Sequence, residues 1–430
     1  MRETMADSQM AAYSEAVRTG MYAKASGLEG KYDNVRRFWE DELTQRHLRP
    51  HIEALIERTR AKGRGVRIMD LGCGSADGYE LLRGIRQRDA NLIDLDVSVL
   101  NGQWLELYCG VDLNDDLLEQ ASDIYSGSPR MRFEQADFTR GLGFGRDRRP
   151  YDLYLMTYGT TSHHTDDETL IELFVEIADR ARDHCFVVCD WLGRYSYEWQ
   201  TLWAKDLAQN RNMDYVVSYI YDEEEREARR DELDHLTLRL MSRDEIDRIV
   251  SEAGRRSGVP IKPLEFFDRS TFVGRHMDTG DYNPHAQPIR KAINSLLERN
   301  TRTSLESLLI DYVPKSGFGF PNNYFEEVAS CWNALVEYVG QLLELYDEQG
   351  RRYRPSLPSH AEPYPPPLCR MMARMQVVVG HVGWLDTCRP RENIIEPQLA
   401  KALRRLVTEL QQGQGCAHGL VGVFEVEKSG

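Results

Sequence analysis

The residues Asp70-Leu71-Gly72-Cys73-Gly74, directly behind the apolar run Val66-Arg67-Ile68-Met69, constrain this chain more than any other feature. An apolar run meeting two closely spaced glycines predicts a buried strand, a tight turn, and then a helix through Tyr79, Glu80, Leu81 and Leu82. Gly72 and Gly74 carry no Cβ, so a nucleoside-sized group can approach the turn. A dinucleotide site would need a third glycine at position 77 to admit a pyrophosphate, and that residue is Asp77. An acid closing the strand before the glycines suits a positively charged ligand better than a phosphate.

Four later segments continue the pattern in order. Leu107-Tyr108-Cys109-Gly110-Val111-Asp112 is a second short apolar strand closed by a carboxylate, with a helix from Leu117 to Ala121 behind it. Met131 to Phe138 reads as a third strand, Tyr151 to Met156 as a fourth and Cys185 to Asp190 as a fifth. This series resembles the class I S-adenosylmethionine (SAM)-dependent methyltransferases of small-molecule type. The resemblance implies an α/β fold: a Rossmann-like, seven-stranded, mostly parallel sheet with helices on both faces, holding SAM as cofactor. It also implies cofactor contacts from Asp70, Gly72, Cys73 and Gly74 at the turn and from Asp112 and Leu113 at the ribose. Asp137 and Phe138 would meet the adenine, and Thr157 would stand at the end of the fourth strand. Two features depart from the family pattern. Ala76 stands where many relatives have a glycine, and the gap from Gly74 to Asp112 exceeds the usual spacing of about 20 residues. Residues 84–103 therefore read as an insertion. Within it Asn91 to Asp96 would pass as a strand, making Asp96 a rival ribose acid; Asp112 is preferred because a periodic helix follows it.

A chain of 430 residues with net charge −15 can bury a large core and repels polyphosphates, so nucleic acid is disfavoured as a partner. No run of about 18 apolar residues occurs, and the first residues lack the apolar core of a secretion signal, so no membrane partner is expected. The eight cysteines form no Cys-x-x-Cys pair, which fits reduced thiols in a cytoplasmic protein and no metal site.

Residues 1–62 read as an N-terminal helical cap, 63–280 as the SAM-binding domain, and 281–430 as a mainly helical C-terminal unit that covers the acceptor, forms a homodimer interface, or both. In the cap, Tyr22, Lys24, Tyr32, Arg36 and Trp39 form a cluster able to reach a carboxylate and an adenine, with Tyr32 and Arg36 the preferred ligand contacts; packing on a helical hairpin is the alternative. The aromatic stretch Trp191 to Trp203 reads equally as a wall of the acceptor site or as the core face of a helix. The run Asp222 to Asp234 is a solvated helix face, Leu236 to Met241 a strand, and Ser242 a helix cap. Pro263 to Phe267 and Ser270 to His276 are expected to form the hairpin that closes the sheet. In the C-terminal unit, helical spacing marks Ile289 to Leu297, Val328 to Leu342 and Leu399 to Leu410; Pro355 to Pro367 reads as an extended loop and Leu420 to Val426 as a strand.

Methyl transfer needs alignment and, for an oxygen or carbon acceptor, removal of a proton. His163 and His164, at the end of the fourth strand, are the leading bases because histidine titrates near neutral pH. Asp190 and His276 follow. Neither Asn-Pro-Pro-Tyr nor Asp-Pro-Pro-Tyr is present, which argues against the amide and base N-methyltransferases that use them. The expected function is methyl transfer from SAM to a small-molecule acceptor. Use of a non-methyl group of SAM, by aminocarboxypropyl transfer or cyclisation, or a non-catalytic regulatory subunit on the same fold, are the alternatives.

Overall fold

The computed structural model describes residues 30–88, 94–143, 149–229, 233–349, 364–385 and 387–428, with Val17, Gly20 and Tyr22. Lys24, Asn91 to Ile93 and Pro355, Pro358 and Pro363 lie outside them. Eleven strands are described: β1 (Val66–Leu71), β2 (Arg86–Arg88), β3 (Asp94–Ser98), β4 (Leu105–Asp112), β5 (Met131–Gln135), β6 (Tyr151–Met156), β7 (Ala181–Gly193), β8 (Asn212–Val216), β9 (His235–Met241), β10 (Ile261–Arg269) and β11 (Gly419–Glu427). Nine of them form the main sheet: seven run in the order β10-β11-β7-β6-β1-β4-β5, while β9 pairs with the end of β7 and β8 with β9. The pairs from β5 to β7 are parallel, whereas β11 runs antiparallel to both β7 and β10. The strands β1 and β6 are buried along their length, and β7 from Cys185 onward, because both sheet faces are covered. On one face Leu48, Ile52 and Leu55 of the helix α1 (Glu42–Ala61) pack on Ile68, Tyr108 and Val188. On the other, Leu170 and Phe174 meet Met69, Leu71 and Val187.

The sheet closes differently from the sequence-based expectation. Ser270 to His276 is not a strand: Ser270 (φ 71°) and Phe272 (φ 58°) take left-handed backbone, and a short 3-10 turn begins at Arg275. Its place is taken by β11, which returns from the far end of the chain and slots between β7 and β10. The buried Asp268 carboxylate pins this return by accepting from the backbone N–H groups of Gln414 (3.1 Å), Gly415 (2.8 Å) and Cys416 (3.0 Å). The last strand thus belongs to the sheet, and the helices at 289–410 are inserted between two neighbouring strands.

That inserted segment holds its own apolar cluster, in which Ile293, Phe325, Trp332, Leu335, Met375 and Leu403 are buried. The helix Pro366–His381 starts where the sequence reads as extended loop, because a proline in the first helical turn has no N–H to lose. The cap and the insertion meet through Arg290, which is buried. Its guanidinium donates to both Asp33 oxygens, to Glu40 Oε1 and to the Val273 carbonyl, each at 2.8 Å. Removing one member of such a buried pair leaves the carboxylates uncompensated, so Arg290→Met is expected to lower stability by about 3–5 kcal/mol in denaturant titration.

The insertion at 84–103 is a separate two-stranded hairpin, β2–β3. Asp96 stands on it fully exposed, facing Arg86. Among the described residues, no helix is long and apolar enough to cross a membrane.

Candidate functional site

The sheet order reverses between β1 and β6, and a cleft opens at the carboxyl ends of the strands there, where open α/β sheets hold their ligands. Gly72, Asp112, Thr157 and Leu192 bring the ends of β1, β4, β6 and β7 to its wall, and Tyr22, Lys31, Arg36 and Glu40 cover it from the cap.

The Asp112 carboxylate is the hinge of this geometry. One oxygen accepts from the Gly74 N–H at 2.8 Å and the other from the Asn114 N–H at 3.0 Å, which ties the acid to the glycine turn. Burial raises its carboxyl above the usual range, against the pull of those backbone bonds. Each oxygen retains a lone pair, an arrangement matched to a vicinal diol. Gly72 takes φ +69°, and its missing Cβ makes room for the Thr160 methyl and the Phe138 ring. The space that a Cβ would take at Gly72 is therefore filled by protein, and both Gly72 and Gly74 line the cleft.

Asp77, noticed in the sequence only for not being glycine, lines the cleft and accepts from Lys31 and from the Tyr32 hydroxyl. Burial pushes its carboxyl up, but Lys31 and Arg36 outweigh this and hold it below the usual range. Arg36 stacks on the Tyr158 ring at 3.2 Å from its centroid and donates to Asp41 at 2.9 Å. This corner therefore presents an acid and a guanidinium together, the pair an amino-acid end group requires. Tyr32 itself stands behind Asp77 and does not line the cleft, nor does Trp39, which packs on Trp332.

Asp137 and Phe138 sit at the cleft's other end, with Asp137 accepting from the Thr139 N–H at 3.0 Å. His163 faces the cleft here and feels the Asp137 charge; burial pushes its imidazole down to about 4. It is neutral throughout the physiological range, so a rate step near the ordinary histidine value of about 6.5 would not come from it. His164 lies outside the cleft lining, with its ring 5.5 Å from that of Phe138 and neither ring nitrogen bonded among the described residues.

Four of the expected site residues stand away from the cleft lining. Asp70 and Cys73 lie behind the glycine turn and do not reach the cleft: Asp70 accepts from the Tyr108 hydroxyl at 2.5 Å, and the Cys73 thiol points to the Gly74 carbonyl at 3.4 Å. Asp190 is buried, accepting from Arg269 at 2.8 Å and from the Tyr158 N–H at 2.9 Å. His276 is enclosed by the rings of Tyr215, Tyr219 and Tyr282, with its Nδ1 near Thr279 and Asp281. The aromatic stretch is core: Trp191, Trp199 and Trp203 are all buried, and only Leu192 of it reaches the cleft.

Asp70 makes a pH prediction. Burial pushes its carboxyl up to about 8, so the fold keeps a proton that the unfolded chain releases above about 4. The associated stability is complete below that lower value and is lost as pH rises towards 8. Asp70→Asn keeps an acceptor for Tyr108 and removes the titration. Its melting temperature should exceed that of the wild type at about pH 8 and approach it at about pH 5.

At the cleft's remaining end stand Arg269, Arg275 and His418, none of them singled out by sequence. Arg269 is held between Glu40 (3.1 Å) and Asp190 (2.8 Å), and Arg275 donates to the Lys31 carbonyl at 2.8 Å. His418 arrives on the residue before β11. A parallel sheet that places β4 and β5 on one side of β1 and β6 and β7 on the other, closed by a reversed strand, decides the fold. It is the class I SAM-dependent methyltransferase fold.

No family model and no curated protein matches the chain. Solved structures similar to it include methyltransferases. One is an S-adenosylmethionine-dependent methyltransferase from Clostridium acetobutylicum (14% identity, TM-score 0.35, covering 60% of this chain and 90% of that one). A second is magnesium protoporphyrin IX methyltransferase from Synechocystis with bound S-adenosylhomocysteine (SAH) (13% identity, TM-score 0.33, covering 63% and 94%). A third is an amino pentose methyltransferase from Micromonospora echinaspora, solved with SAM (12% identity, TM-score 0.31, covering 61% and 93%). On this methyltransferase fold, the long insertion before the last strand is what delivers His418 to the cleft.

Proposed function

We propose that the protein transfers a methyl group from SAM to a small-molecule acceptor. The observation that carries this reading is the Asp112 carboxylate, facing the cleft and tied at 2.8 Å to the Gly74 N–H. Its two oxygens would take the ribose diol. Asp77 and Arg36 would hold the ammonium and carboxylate of the amino-acid end, and Asp137 and Phe138 the adenine. The carboxylates at the turn and at Asp112 disfavour a phosphate in the same place. When bound, SAM supplies a carbon already activated by its sulfonium. The chain's task is then to align an acceptor at the ends of β6 and β7, where Tyr158 and Leu192 line the cleft. Incubation with SAM and an acceptor library, followed by mass spectrometry, tests the reading. SAH and an acceptor heavier by one methylene support it; methylthioadenosine as the product would replace it with aminocarboxypropyl transfer.

A further inference from the structure

Two of the expected bases are unavailable to an acceptor: Asp190 is occupied by Arg269, and His276 stands behind Tyr215 and Tyr219. His418 faces the cleft instead. Its carbonyl accepts from the Gly193 N–H at 3.1 Å, which fixes it at the carboxyl end of β7 beside Leu192. Its Nδ1 lies 3.0 and 3.2 Å from the two carboxylate oxygens of Glu198. Glu198 is 1% exposed and also accepts from the His276 N–H at 2.8 Å. A Cβ at position 274 would collide with Glu198 Oε1, so Gly274 lets the loop close over the carboxylate and leaves it one place to stand.

Burial pushes the Glu198 carboxyl up, but His418 and the other donors outweigh this and hold it below the usual range, so it is ionised and can only accept. The hydrogen bond to Glu198 therefore runs from His418 Nδ1, which leaves Nε2 as the ring nitrogen available to the cleft. Among the described residues nothing bonds to Nε2, and the side chain lines the cleft. The surrounding walls are the rings of Tyr158, Tyr215 and Tyr219 with Leu192 and Leu238, joined by the Arg269 and Arg275 guanidiniums that lie over the Tyr158 and Tyr219 rings, a lining for a flat ring that carries a polar oxygen.

We propose that the acceptor is a hydroxyl group on a planar ring, a phenol or enol, whose proton is taken by His418 Nε2, with Glu198 as its positioning residue. This rests on the methyltransferase reading above. The acceptor oxygen bonds to the methyl carbon as the carbon–sulfur bond breaks, and that bond's electron pair stays on sulfur. The hydroxyl proton passes to Nε2, and Glu198 offsets the imidazolium charge. A neutral amine already offers its lone pair and has no need of such a dyad; a hydroxyl does.

The test uses the full chain saturated with SAH and 4-nitrophenol as the probe, because its ionisation is visible by absorbance. The wild type should bind the probe and show the phenolate band at a pH where the free phenol is mostly protonated. His418→Gln should lose the band while keeping its SAH affinity, and methyl transfer to 4-nitrophenol should fall by roughly 10²-fold or more. Independently of any variant, ¹⁵N spectra of the wild type should show His418 protonated at Nδ1 and bare at Nε2, and Glu198→Gln should shift that balance. A wild-type spectrum with the proton on Nε2, a phenolate band that survives in His418→Gln, or no 4-nitrophenol binding by SAH-loaded protein would each overturn the proposal. Failure to bind SAH at all would strike the methyltransferase reading instead.

Discussion

A chain stopped after Gln411 is expected not to fold, although it lacks only the last few per cent of the sequence. The missing segment contains β11, an interior strand bonded on both sides. Leu420, Val421, Val423, Phe424 and Val426 are each no more than 1% exposed. At about 1.5–3 kcal/mol per buried apolar side chain, their loss is on the order of 10 kcal/mol, comparable with the whole stability of a domain. It would also strip β7 and β10 of their ladder partners and expose two sheet edges. Soluble yield and far-ultraviolet circular dichroism of the truncated chain check this. A soluble protein with a cooperative melt would mean that β11 is peripheral and that the sheet is complete without it.

Asp112→Ala should weaken SAH binding by about 1–3 kcal/mol, roughly 5- to 150-fold, by leaving the ribose hydroxyls without a charged acceptor. The variant also removes the acceptor of the Gly74 N–H, which loosens the turn that faces the ligand. Asp96→Ala is the control: Asp96 is fully exposed on the β2–β3 hairpin, and its loss should leave affinity unchanged. Calorimetric titration of SAH into both variants separates the two acids. A loss in Asp96→Ala with none in Asp112→Ala would move the ribose site to the hairpin.

The strands β1, β4 and β7 could be read from the sequence because each carries an apolar run that meets a glycine or an acid, a signal contained in a few neighbouring residues. The seventh strand was visible as alternation at Leu420 to Val426, but its place was not. Ser270 to His276 follows β10 directly and looked the natural partner, and only the left-handed backbone at Ser270 and Phe272 rules it out. A strand does not carry its partner's address when that partner lies far away in the chain. The same limit hid His418, which is 220 residues from Glu198. Glu198 itself sat unnoticed among tryptophans that turned out to be core. The misplaced site residues share one cause. Asp70, Cys73, Asp190 and His276 are at the expected chain positions, but Asp70 and Asp190 are occupied by neighbouring side chains, the Cys73 thiol points to the Gly74 carbonyl, and tyrosine rings screen His276 from the cleft. Chemical type and spacing do not report which way a side chain faces.

A crystal structure of the full chain with SAH tests the central claim most directly. The ribose hydroxyls are expected within hydrogen-bonding distance of Asp112, the adenine beside Asp137 and Phe138, and the amino-acid end between Asp77 and Arg36. SAH bound outside this cleft, or with its ribose on another acid, would contradict it.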